Sequence, residues 1–161
     1  MKRKLFSLIL MLSVFLASGQ INNSLHFDGY DDYITTGVAS ISGNNARTVE
    51  AWVRTAANCV PNAGGVQQVI LEMGSFTPGQ RFTVCLLWSN SIRVEIGGSG
   101  VSGTVAVNDS NWHHVAVVYN PSNLTKVQLY VDGVGAGSGN FSSTPNTSNA
   151  NMIVGRRSDN I

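Results

Sequence analysis

Beyond its first twenty residues this chain has no window in which apolar side chains recur at helical spacing. Its apolar runs are short, many of them alternate apolar with polar, and each is closed by Gly, Asn, Ser, Pro or Asp. A strand sends successive side chains to opposite faces, so such runs build sheets with one face against a core. The strands expected on this basis cover 24–27, 33–36, 48–54, 68–73, 81–88, 92–96, 103–107, 112–119, 126–131 and 151–154. Almost no helix is expected, and stacked antiparallel sheets satisfy the pattern.

The first residues have a different character. Lys2, Arg3 and Lys4 form a basic head, an apolar run follows from Leu5 to Leu16, and Ala17, Ser18 and Gly19 are small. Residues 1–19 therefore read as a secretory signal peptide cleaved near Gly19 or Gln20, since the run falls short of the roughly twenty residues a membrane-spanning helix needs. Cleavage leaves residues 20–161 as one domain, exported, with no membrane insertion. No cysteine follows the run, which argues against a lipid anchor.

The full chain carries ten Lys and Arg against nine Asp and Glu. Removing the leader takes three bases and no acid, so the mature chain is slightly acidic. Its arginines are scattered, with only Arg156 and Arg157 adjacent, and this excludes the basic stripe of a nucleic-acid binder. A hydrophobic fraction of 43% with only 12% charged residues suits a globular exported chain.

Residues 126–131 place Val127, Leu129 and Val131 on one side and Lys126, Gln128 and Tyr130 on the other. Asp132-Gly133 follows at once and is a strong hairpin signal, because a two-residue type I′ turn needs positive φ at both positions. The partner strand would begin at Val134, weakened by Gly135, Gly137 and Gly139. Cys59 and Cys85 are the two cysteines; in an exported chain they could pair, closing a loop of about 26 residues worth roughly 3 kcal/mol in the chain-entropy treatment. The alternative leaves Cys85 as a small buried hydrophobe.

Asp28, Asp31 and Asp32 form the best local candidate for chemistry. Three carboxylates around a glycine can offer hard oxygen ligands to Ca²⁺, or can hold a turn through bonds to its backbone. His113 and His114 point to opposite faces of a strand and do not converge on one ion. Glu50, Glu72 and Glu95 lie in three separate strands, where solvent-facing positions are expected. No paired-carboxylate hydrolase pattern, nucleophile elbow, zinc-protease helix or phosphate loop occurs. Trp88, before Ser89-Asn90-Ser91, is the candidate ligand-contacting aromatic at a hairpin rim.

Residues 27–34, Phe-Asp-Gly-Tyr-Asp-Asp-Tyr-Ile, resemble the opening block of the laminin-G-like, concanavalin-A-like jelly-roll family. Thr48-Val49-Glu50-Ala51-Trp52-Val53-Arg54, Asn111-Trp112-His113-His114-Val115-Ala116, Leu129-Tyr130-Val131-Asp132-Gly133 and Ile153-Val154-Gly155 continue the resemblance in the family's order. It implies a concanavalin-A-like sandwich of two antiparallel sheets, with Trp52 and Trp112 in the core and one histidine packed inside and hydrogen-bonded. Similar chains continue past the Ile-Val-Gly strand with one more strand, so the domain is expected to be truncated at its last strand, to leave 24–27 as an exposed edge and to precede further domains.

The function implied is that of a non-catalytic extracellular module, secreted or on the surface of a bacterial cell. It would recognise a glycan or a cell-surface protein, with Ca²⁺ as a cofactor at Asp28, Asp31 and Asp32. The alternative is a structural, adhesive or accessory module of a larger secreted hydrolase or protease.

Overall fold

The computed structural model describes residues 23–28, 31–56, 67–87 and 89–158. The expected signal peptide, Cys59 and Trp88 lie outside these residues. Ten strands follow one another: β1 Ile34–Ala39, β2 Arg47–Val53, β3 Gln68–Gly74, β4 Arg81–Leu86, β5 Ser91–Glu95, β6 Gly100–Ala106, β7 His113–Tyr119, β8 Val127–Val131, β9 Val134–Gly139 and β10 Asn151–Val154. No helix occurs among the described residues.

Six strands in the order β1-β10-β3-β4-β5-β6 form one sheet, and four in the order β2-β7-β8-β9 form the other. Every neighbouring pair is antiparallel. The period-two pattern sends Phe82, Val84 and Leu86 of β4 and Ile92 and Val94 of β5 inward. They meet Val115, Val117 and Tyr119 of β7 and Val127, Leu129 and Val131 of β8. Burying such side chains stabilises each by about 1.5–3 kcal/mol, so this inter-sheet layer is the main source of folding energy.

The expected hairpin turn is present: Asp132 has φ 51° and Gly133 φ 76°, with β8 and β9 on either side. Of the glycines expected to weaken β9, Gly137 lets the sheets approach. A Cβ on Gly137 would lie 3.0 Å from the Cα of Gly103 on β6, so only glycine permits this contact.

Two expectations fail. Residues 24–27 form no strand, and the outer position of the six-stranded sheet belongs to β1, paired with β10. Leu25 remains 68% exposed, so this segment has no apolar cover to fix it as a strand. Phe27 is held by packing on Gly155, where a Cβ would come within 2.7 Å of its ring.

Candidate functional site

The two sheets present different outer faces. On the six-stranded sheet, the residues of β4 that point away from the core, Arg81, Thr83 and Cys85, are as buried as the core itself. Register sets Thr83 between Glu72 of β3 and Glu95 of β5. The Glu95 carboxylate accepts from Arg81 Nη2 at 2.7 Å and from Gln67 Nε2 at 2.8 Å. That of Glu72 accepts from Thr83 Oγ1 at 2.9 Å and from the Ser158 backbone N–H at 2.7 Å.

Glu72 and Glu95 are therefore 1% and 6% exposed, contrary to the solvent-facing expectation. The cause is cover: chain segments far along the sequence supply donors above this face, and a buried carboxylate is tolerated when its oxygens are bonded. Cys85 sits in the same layer, fully buried, with a free thiol. Burial, with Glu95 nearby, raises its pKa and keeps it protonated. Cys59, its expected disulfide partner, lies outside the described residues.

The four-stranded sheet turns an open face outward. Along β2 the side chains of Arg47 and Val49 point in, while Thr48, Glu50 and Trp52 point out. Trp52 is 66% exposed and Trp112 45% exposed, so neither tryptophan is the core residue the family resemblance implied. Alternation explains Trp52, which shares its face with Glu50. Trp112 precedes β7 and lies under the Arg54 guanidinium, 5.5 Å from the ring centre.

Register pairs Trp52 with His114 of β7, and their rings lie 5.4 Å apart, tilted by 54°. The same imidazole has Nε2 3.5 Å from Glu50 Oε2. At this end of the sheet two indoles, an imidazole, a carboxylate and a guanidinium thus share one corner. A planar apolar ring beside polar groups is an arrangement that binds amphipathic ligands.

Beside this corner His113 is bonded on both ring nitrogens. Nδ1 lies 2.8 Å from Asp132 Oδ2 and Nε2 lies 2.9 Å from Asp109 Oδ1. Neither histidine enters the core; the hydrogen-bonded one is wedged between two carboxylates. Asp132 also accepts from the His114 backbone N–H, and Asp109 from the side chain and backbone of Asn111. Asp132, then Asp109, raises the pKa of His113. The Asn111 bonds, followed by His113, hold Asp109 at about 2, and His113 lowers Asp132.

Asp28, Asp31 and Asp32 are all exposed, and one carboxylate oxygen from each lies within 4.8 Å of the others. This convergence fits part of a calcium shell, which takes six to eight oxygens. The Asp28 backbone N–H also donates to Asp32 Oδ2 at 2.9 Å, the bond expected of an acid holding its own turn.

Among comparisons with known proteins, a family model of the concanavalin A-like lectin/glucanases superfamily matches residues 28–160. No curated protein shows significant sequence similarity to the chain. Among solved structures, the mouse laminin alpha1 chain, domains LG4-5, is similar at 17% identity with a TM-score of 0.55. That similarity covers 78% of this chain and 31% of the laminin chain, and it shows the fold alone. Sheet topology and sequence match agree: the chain belongs to the concanavalin A-like lectin/glucanases superfamily, as a laminin-G-like sandwich.

Proposed function

We propose that this chain is an exported, non-catalytic recognition module whose Trp52 and Trp112 corner binds glycan. The observation that carries the reading is the 66% exposure of Trp52 in a sheet where Tyr119 is buried and Tyr130 is half-buried. Exposed large aromatics grouped at one corner form the kind of patch that marks a binding surface, and Trp112 is 45% exposed beside Trp52. The C–H face of a pyranose would stack on the indole, while Glu50 and His114 exchange hydrogen bonds with ring hydroxyls. Export is supported by the basic and apolar leader.

The non-catalytic reading is supported by the glutamates. All four carboxylate oxygens of Glu72 and Glu95 accept bonds from the chain's own donors, which suits structural members of a covered layer. Most glycoside hydrolases need a pair of carboxyl groups facing the substrate.

Ca²⁺ belongs to this reading at Asp28, Asp31 and Asp32. Added CaCl2 should raise the melting temperature of the wild type and leave Asp31→Asn unmoved; equal melts with and without calcium remove the metal from the proposal. A cell-surface protein as partner, or a place inside a larger secreted hydrolase or protease, is favoured by the exposed Ile34, Val38 and Ile41 along and just after β1, which offer apolar area to further polypeptide.

Affinity electrophoresis in gels containing cellulose derivatives, xylan, mixed-linkage glucan or chitosan tests the glycan reading. Retardation of the wild type that disappears in Trp52→Ala supports it. Loss only in Trp88→Ala would move the site to the hairpin rim.

A further inference from the structure

We infer that His113 is an imidazolium clamp on the loop that carries Trp112, holding the aromatic corner in its binding form below the titration of this histidine and releasing it above. Its consequence for binding rests on the proposed glycan reading; the clamp itself rests on geometry.

An ionised carboxylate only accepts hydrogen bonds. His113 faces one at each ring nitrogen, 2.8 Å and 2.9 Å away. Both nitrogens must then donate, which only the protonated ring can do. A neutral ring keeps one N–H and sets its other lone pair against an acidic oxygen.

The three residues come from three segments: His113 opens β7, Asp109 lies in the loop from β6, and Asp132 forms the turn between β8 and β9. The loop is otherwise tied on its far side to residue 55. Ser110 N–H donates to the Thr55 carbonyl at 3.0 Å, and the Thr55 hydroxyl donates to the Val107 carbonyl at 2.7 Å. Losing the Asp109 bond removes the tie between this loop and His113, next to Trp112, and leaves the loop its ties to Thr55 and, through the Val107 N–H at 3.0 Å, to the Asn90 carbonyl.

Among the described residues, the charged and titratable groups near His113 come from four elements. The loop contributes Asp109 and the turn Asp132; β7 adds His114, itself 3.5 Å from Glu50 of β2. Arg54 follows β2 and lies over Trp112. Val53, opposite His113 in register, is apolar.

The sign follows from these directions. His113 is raised, so its share of stability is complete below the ordinary histidine value of 6.5 and is lost as pH rises through the raised one. Asp109 and Asp132 are lowered, so the same clamp survives downward past 3.8 and is lost only as pH falls through their folded values.

Long-range ¹H–¹⁵N NMR of the whole chain, titrated from about pH 5 to about pH 10, tests the clamp without any ligand. Both His113 ring nitrogens should stay protonated to a midpoint above 6.5. The Asn111, Trp112 and His114 amide signals should move with that midpoint. In His113→Gln this movement should vanish, and in Asp132→Asn the midpoint should fall. A His113 midpoint at or below 6.5, or loop amides that ignore it, overturns the clamp. Repeating the electrophoresis on either side of the midpoint then reads the binding consequence. If the wild type is retarded by no polysaccharide, the glycan reading fails while the NMR result stands; if retardation occurs but is equal on both sides, the gating is wrong.

Discussion

The outer faces of the two sheets follow the same alternation and meet opposite fates. On the six-stranded sheet the outward row Glu72, Thr83 and Glu95 is covered and fully bonded. On the four-stranded sheet the outward row Thr48, Glu50 and Trp52 meets solvent. A polar row under cover must pair internally, because each unsatisfied buried group costs about 1–3 kcal/mol. A row without cover leaves its one aromatic ring, Trp52, free to make contacts with another molecule. Polarity therefore does not tell a covered face from an open one; here the charged row is covered and the row that carries Trp52 is open.

The largest expected effect breaks the covered face. Glu95→Ala takes away the carboxylate that lies 2.7 Å from Arg81 Nη2, in a pair whose side chains are 9% and 8% exposed. Removing one partner of a buried pair costs about 3–5 kcal/mol, so denaturant unfolding should show a much lower midpoint. A wild-type midpoint would mean that this face contributes little to folding.

A smaller loss is expected from Thr83→Val, which keeps the shape and removes the donor to Glu72 Oε2. One acceptor left unpaired in a buried layer costs about 1–3 kcal/mol. The smallest stability effect belongs to Trp52→Ala, which removes an exposed ring and should change unfolding by no more than about 0.5 kcal/mol. Its effect should fall on binding. If Trp52→Ala destabilises as much as Glu95→Ala, the two faces do not differ in the way described.

Local signals in the sequence were the ones most fully legible. Asp132-Gly133 gave its turn because the required φ values depend on those two residues alone. Residues 151–154 gave β10 to the residue. The exposure of Trp52 was legible too, since alternation through 47–53 puts it with Glu50, but the family resemblance pointed to the core. Burial of Glu72 was not legible, because one of its donors is Ser158, 86 positions away. The same holds for His113: Asp109 is four residues away, but Asp132 reaches it across 19 through the pairing of β7 with β8. Pairing of neighbouring strands could be foreseen; what folds back over a sheet could not.

Calorimetric titration of wild type, Trp52→Ala and Trp88→Ala with the polysaccharide that retards the wild type, with melting curves on the same samples, tests the central claim most directly. The account predicts saturable binding by the wild type and by Trp88→Ala, and none by a Trp52→Ala variant that melts like the wild type. Binding that survives in Trp52→Ala would show that the open aromatic face is not the recognition surface.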